Sequence, residues 1–375
     1  MRKKIRLALI FGGRSAEHEV SLLSAGNIFK ALSKEKYELM LIGVDRDGHW
    51  FLNDESKSLL ESGAQKFPRL SEKREEVALI PGKESMQLVN VTKNQTLGDI
   101  DVVFPVLHGS YGEDGSVQGL LRLANIPFVG AGVLGSAIGM DKDVTKRLLR
   151  DADIPISNFL SFTRDQKEKI DPESIKKELG MPVFVKPASL GSSVGISKVS
   201  EAKDMAPAVN LALQYDNKVL IEQYMKGREI ECAVLGNESP IASVAGEIVP
   251  QHEFYSYEAK YIDEKGAILE IPAKLTESQS RLIQEYSLRA FKTLCCEGMA
   301  RVDFFLTEDG QIVLNEINTI PGFTKISMYT KLWEQSGIQY AELIDRLVQL
   351  AIDRFERDKQ LKTEVSISHD DTADS

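Results

Sequence analysis

Residues 314–322 read LNEINTIPG and close the apolar run QIVLNEIN. Side chains alternate faces along a strand, so Ile312, Leu314, Glu316 and Asn318 are expected on one face. That face passes from hydrocarbon to a carboxylate and an amide. A second apolar run, ARVDFFL, lies upstream, and TEDG separates the two. Asp-Gly between alternating apolar runs predicts a tight hairpin. With Asp309 and Gly310 as its turn residues, Glu308 faces Gln311, Phe305 faces Leu314, Asp303 faces Glu316 and Arg301 faces Asn318. Facing like charges about 5 Å apart destabilise a sheet, so a positive group belongs between the two carboxylates. Two candidates stand open. Arg301 can supply the charge as a structural ion pair. A divalent cation can do so too, because Asp, Glu and Asn are oxygen ligands of the kind magnesium takes, usually with phosphate completing its shell.

Composition bounds the rest. The chain has 375 residues, 42% hydrophobic, with a formal charge of −10. This length suggests two or three domains. The acidic balance argues against non-specific nucleic-acid binding, which needs a basic stripe. The sequence has no apolar run of about 20 residues to span a membrane. MRKKIRLALI starts like a signal peptide, but FGGR follows without a small-residue cleavage pattern, so a first β-strand is expected. Cys232, Cys295 and Cys296 lack metal spacing and read as reduced thiols, which points to the cytoplasm.

The expected organisation is an open α/β unit over 1–130, a second unit over 131–225 and a third over 226–358. The stretch from Asp54 to Thr96 reads as polar and irregular, with short apolar runs such as VALI and MQLVNV. The acidic tail, 359–375, reads as disordered.

A metal strand for a nucleotide needs a phosphate site. There is no P-loop, and FGGRSAEHE lacks the third glycine of a dinucleotide fingerprint. Instead, Lys186 ends VFVKP before the loop SLGSSVG, and Lys142 precedes a helix in GMDK. A glycine–serine loop can lay N–H groups on phosphate, and a lysine adds a point charge. Glu17, Ser21 and Ser24 recur at helical spacing, either as a solvated face or as a polar site. His108 follows an apolar strand, where a capped loop histidine is the ordinary reading.

These residues sit in seven ordered motifs: FGGRSAEHEVSLLSA, LHGSYGEDGSVQG, FVGAGVLGSAIGMDK, VFVKPASLGSSVGISKV, FYSYEAKY, GMARVDFF and NEINTIPGFTKISMY. From about Ile5 to Leu350 the chain resembles the D-alanine–D-alanine ligase family of the ATP-grasp superfamily. The resemblance implies an ATP-grasp fold preceded by an open Rossmann-like α/β domain, with ATP held between two sheets. In that likeness Lys142 and Lys186 contact phosphate, with Ser192 and Ser193 on the loop beside them. Glu222, Gln223, Tyr224 and Met225 line the adenine, Glu229 binds ribose, and Phe254 and Lys260 also face the nucleotide. Asp303, Glu316 and Asn318 hold two magnesium ions, for which manganese can substitute. Glu17 accepts the ammonium of the first D-alanine and forms a triad with Ser192 and Tyr261. Tyr255, Tyr257 and Lys260 lie on a covering lid. His108 lies near the second substrate. Arg301 and the Gly322 amide stabilise an oxyanion, Ser327 meets the second carboxylate and Met328 the second methyl. Two departures touch these contacts: Lys325–Ile326 stands where some members have Ser-His, and Gln223 replaces a lysine found in some relatives.

The implied reaction activates a carboxylate, a poor electrophile, as an acyl phosphate. The amine of the second D-alanine then displaces phosphate, giving D-alanyl-D-alanine for peptidoglycan synthesis. The family's habit implies a homodimer. A depsipeptide maker would lack a tyrosine at the place of Tyr261, and a D-alanine–D-serine ligase is a further alternative. A non-catalytic nucleotide sensor would lack the metal ligands or lysines that are present here.

Overall fold

The computed structural model describes residues 3–52, 75–83, 85–250, 267–324 and 326–362. The expected triad partner Tyr261, the lid residues Phe254, Tyr255, Tyr257 and Lys260, Lys325, and tail residues 363–375 lie outside the described residues.

The N-terminal sheet has the order β6-β5-β4-β3-β2-β1-β7. Its strands are β1 (Ile5–Gly12), β2 (Tyr37–Val44), β3 (Trp50–Leu52), β4 (Glu75–Leu79), β5 (Leu88–Asn90), β6 (Gln95–Gly98) and β7 (Val102–Val106). β1 reads apolar almost throughout because it runs parallel to β2 and β7 with both faces covered. Leu7 and Leu9 pack with Leu22 and Ile28 of α1 (His18–Ala31), and Ala8 and Ile10 with Val117 and Leu121 of α2 (Ser116–Leu123). The stretch read as irregular carries β4 to β6, an antiparallel wing. Their apolar runs are only three to five residues long, too short for an alternation pattern to stand out. The loops FGGRSAEHE and LHGSYGEDG leave the carboxyl ends of β1 and β7, where open α/β sheets place ligands.

Next come α3 (Val133–Met140), α4 (Lys142–Asp151), β8 (Phe159–Thr163), α5 (Pro172–Leu179), β9 (Val183–Pro187), β10 (Ser197–Val199), α6 (Met205–Ala212) and β11 (Lys218–Gln223). The strands form an antiparallel sheet in the order β10-β9-β11-β8. Asp141 caps α4 by accepting N–H bonds from Asp143 and Val144 at 3.0 and 3.1 Å. That cap fixes where Lys142 begins the helix.

The last unit contains β12 (Gly227–Gly236), β13 (Ile241–Pro250), β14 (Ala267–Glu270), α7 (Glu277–Thr293), β15 (Gly298–Thr307), β16 (Ile312–Asn318), α8 (Met328–Gln335) and α9 (Tyr340–Asp358). Its antiparallel sheet has the order β14-β13-β12-β15-β16. α7 covers one face through Ile283, Ala290 and Phe291. α8 and α9 join the same apolar cluster as β1, β7 and α1, so the C-terminal helices bridge two sheets.

The β15–β16 hairpin corrects the two-residue turn. Gly310, at φ +84°, donates to Thr307 O at 3.0 Å, and Thr307 N–H donates to Gln311 O at 3.0 Å. Residues 308–310 thus form a three-residue loop with its glycine in the left-handed region. Glu308 does not face Gln311, and Phe305 faces Val313 while Leu314 faces Phe304. A bulge between Leu314 and Glu316 then adds one residue, and Asp303 faces Glu316 and Arg301 faces Asn318 after all. The bulge also switches faces. Ile312 and Leu314 lie in the apolar cluster under α7, whereas Glu316 and Asn318 pair with Asp303 and Arg301 on the opposite side. The four residues expected on one face are divided between two, and no buried hydrocarbon face turns polar.

Candidate active site

The carboxylates form a row. Glu231 of β12, Asp303 of β15 and Glu316 of β16 are in register on adjacent strands. Arg301 Nε and Nη2 donate to the two oxygens of Asp303 at 2.8 and 2.7 Å, and Nε lies 2.9 Å from Glu231 Oε2. Asn318 Nδ2 donates to Asp303 Oδ2 at 3.0 Å. Lys142 Nζ, from the start of α4, stands 3.6 Å from Glu316 Oε2 and donates to Leu190 O at 2.7 Å. Repulsion along such a row favours cations, and its oxygen donors suit a hard divalent ion. Arg301 and a metal, posed as alternatives, are therefore compatible.

The glycine–serine loop closes on the N-terminal unit. Ser192 donates its hydroxyl hydrogen bond to Glu17 Oε1. Ser192 and Ser193 have φ of +54° and +59°, sparsely populated for non-glycine residues, so the loop is held in a strained turn. Glu17 is buried, and added Cβ atoms at Gly109 and Gly191 would come within 2.8 and 3.4 Å of its Oε2. Glycines therefore leave room for this carboxylate.

The serine stripe on α1 is not a solvated face, since Ser21 and Ser24 are fully buried. Ser21 accepts from Gly12 N–H at 2.7 Å and donates to Val106 O, tying β1 to β7. Ser24 Oγ accepts from Phe323 N–H at 3.1 Å and stands 3.2 Å from His108 Nε2. His108 Nδ1 lies 3.0 Å from Ile320 O, so the network assigns the proton to Nδ1 and makes Nε2 the acceptor of the Ser24 hydroxyl. Burial lowers the His108 pKa against the opposing charge of Glu17. This histidine is a neutral strut rather than a loop cap.

Glu113, in the HGSYGED loop, was not singled out from the sequence. It accepts from Gly109 N–H at 2.7 Å and from Ile320 N–H at 3.0 Å, bracing the loop after β7 against the segment after β16. Burial first, and then the nearby Glu17 charge, push its pKa up to about 8. Phe323 anchors the same segment by an edge-to-face contact with Phe104 at 5.7 Å. Ser327 Oγ accepts from Thr324 N–H at 2.9 Å, and a Cβ on Gly322 would come within 2.7 Å of that oxygen. Met328 is buried in the core, against Gly246.

In the central sheet, Lys186 of β9 pairs with Glu222 of β11. Lys146, buried on α4 and passed over in the sequence, pairs with the other oxygen of Glu222 and donates to Ser157 Oγ at 3.0 Å. Gln223 Oε1 accepts from Asn158 at 3.2 Å. The Tyr224 ring lies 5.8 Å from that of Phe184 and 4.4 Å from Lys198 Nζ. Met225, in the link from β11 to β12, and Glu229, on β12, are half-buried. Glu113 could have been suspected as an unremarked charge inside LHGSYGEDGSVQG, and Lys146 as a lysine one helical turn past Lys142.

Comparison with known proteins agrees with the motifs. The family described as D-ala D-ala ligase N-terminus matches residues 6–131, and D-ala D-ala ligase C-terminus matches residues 148–349. A protein named D-alanine–D-alanine ligase from Shouchella clausii is 56% identical over 97% of this chain and 99% of its own length. D-alanine–D-alanine ligase A of Escherichia coli K12 is 50% identical over 96% of this chain and 99% of its own. Among solved structures, the D-alanine–D-alanine ligase from Coxiella burnetii superposes with a TM-score of 0.81 at 38% identity, covering 95% of this chain and 96% of that one. The VanG D-Ala:D-Ser ligase from Enterococcus faecalis gives 0.82 at 35% identity, covering 93% and 100%.

Proposed function

The chain belongs to the D-alanine–D-alanine ligase family, and from that premise we propose how its residues divide the chemistry. The enzyme joins two D-alanine molecules to D-alanyl-D-alanine, driven by ATP, for cell-wall synthesis.

Glu17 accepts the ammonium of the first D-alanine, with Ser192 orienting its carboxylate. Lys142 and Lys186 neutralise phosphate, a task for point charges that need no fixed fork geometry. Ser193 belongs to the loop over the phosphates. Glu222 to Met225 line the adenine, and Glu229 takes the ribose. Asp303, Glu316 and Asn318 would hold magnesium, which supplies charge neutralisation on the transferring phosphoryl group. Attack by the first carboxylate on the γ-phosphorus breaks its bond to the bridging oxygen, releasing ADP and giving D-alanyl phosphate. The second amine attacks its carbonyl carbon, and phosphate leaves. Arg301 and the Gly322 N–H stabilise the tetrahedral oxyanion. His108 shapes the second subsite through its strut to Ile320. Ser327 meets the second carboxylate, and Met328 supports that subsite from the core. Phe254, Lys260 and Tyr261 are assigned by likeness alone, Tyr261 completing the triad with Glu17 and Ser192. A cytoplasmic homodimer completes the proposal.

The observation that carries this reading is the Ser192–Glu17 hydrogen bond, which brings the phosphate-side loop onto the first-substrate carboxylate. The test offers D-alanine, D-serine and D-lactate together with ATP and magnesium and identifies products. D-alanyl-D-alanine should dominate. The likeness to the VanG enzyme makes D-alanyl-D-serine the outcome that would move the assignment of the second subsite.

A further inference from the structure

One buried carboxylate, Glu222, sits between two ammonium groups. Lys186 pairs with one oxygen and Lys146 with the other, and Ser157 donates to the oxygen that Lys146 holds. Glu222 is 4% exposed, Lys186 8% and Lys146 0%, so the three charges share one dry site. The lysines differ in freedom. Lys186 is the penultimate residue of β9, at the mouth of the glycine–serine loop. Lys146 lies on α4, one turn after Lys142, with Ser157 behind it and the Phe159 ring 5.9 Å away. Two cations on one carboxylate leave a buried surplus of positive charge, which is expensive unless an anion arrives.

We propose that Lys146 is the standing counter-ion of Glu222, which lets Lys186 exchange Glu222 for a nucleotide phosphate without a change in protonation. This rests on the placement of Lys186 against phosphate given above. When Lys186 turns to the phosphate, Glu222 keeps an ammonium and a hydroxyl donor and stays ionised. It thus remains a hydrogen-bond acceptor beside the base. Lys146 is a positioning residue: it acts on nucleotide through Glu222. The charges facing this site are Lys146 on α4, Lys186 on β9 and, farther off, Glu316 on β16, which also acts on Lys146. Burial by itself would raise Glu222, but the two lysines outweigh it and hold it at about 2.

The test is calorimetry of ADP binding to the full chain in buffers of differing ionisation enthalpy, which counts protons taken up. Wild type sets the reference count, because the terminal phosphate of ADP itself titrates at about pH 6 and gives up part of its proton beside the lysines, while Glu222 stays charged and adds nothing. Lys146→Met leaves Glu222 without a counter-ion once Lys186 has moved. A buried carboxylate in that position climbs by several units and should bind about one proton more per ADP than wild type at pH 6.5. The KM for ATP should rise about 10- to 100-fold, with the KM for D-alanine unchanged. Lys146→Gln keeps a donor for Ser157 and Glu222 and serves under the same criteria if the methionine variant does not fold. A proton count equal to that of wild type in either folded variant, with the KM for ATP near wild type, would overturn the inference and leave the ligase reading intact. Failure of wild type to bind ADP would instead overturn the nucleotide-site reading and this inference with it.

Discussion

Arg301 and Glu113 are the residues whose roles geometry and sequence divide differently. Arg301 holds Asp303 through two nitrogens and also reaches Glu231, so it is a counter-ion of the carboxylate row as well as the proposed oxyanion donor. Arg301→Met should lower thermal stability in metal-free buffer, and saturating magnesium should restore most of it. Turnover should stay about 10²–10³-fold down even then, because an oxyanion donor acts only on the transition state. Recovery of turnover together with stability would leave Arg301 as a counter-ion alone. Glu113 is expected to remain protonated up to about pH 8 in the fold, whereas the unfolded chain ionises it near 4.5. Between those values the folded state binds the extra proton, so this group's contribution to stability falls as pH rises. Wild type should therefore lose stability relative to Glu113→Gln from pH 5 to pH 8. Denaturant unfolding at both values checks this, and a constant difference would show that Glu113 titrates normally.

The hairpin shows the same economy at the scale of an element. Its loop is one residue longer than the Asp-Gly signal suggests, and its bulge restores the carboxylate register while turning Glu316 away from α7. Because side chains alternate with a period of two, adding one residue after the bulge reverses the faces beyond it. Insertion of an alanine between Asn315 and Glu316 should drive Glu316 toward the apolar cluster, cost at least about 3 kcal/mol and abolish ligation. Asn315→Ala keeps the residue count and should stay near wild type in both. An active insertion variant in a ligation assay would show that the face Glu316 takes after the bulge does not matter to the chemistry.

Across the whole molecule, α9 ties the three units together. Arg354 is buried, and its guanidinium donates to Phe128 O at 2.7 Å and to Gly130 O, at the junction between the first and second units. Its centre lies 4.5 Å from the Phe128 ring. Arg354→Met should remove charged hydrogen bonds from two main-chain carbonyls and cost about 2–4 kcal/mol. Unfolding by urea with constant slope would register the loss. Unchanged stability would mean that water replaces the guanidinium there.

The sequence by itself determined the apolar runs of β1, β15 and β16, the hairpin between the last two and the glycine–serine loop, because hydrophobic pattern and turn residues are local; it reached the facing of Asp303 with Glu316 through a two-residue turn, and the structure reaches it through a longer loop and a compensating bulge. Family likeness was legible for the same reason, in contiguous motifs such as LHGSYGEDG. The short strands β4 to β6 escaped because three to five residues carry little periodic signal. Only the tertiary structure decided that Glu231 joins the row, that Ser24 and His108 hold Ile320 and Phe323, and that Lys146 shares Glu222 with Lys186. Each of those contacts joins residues remote in sequence, and the low dielectric of the interior that makes them matter exists only once distant elements have closed over them.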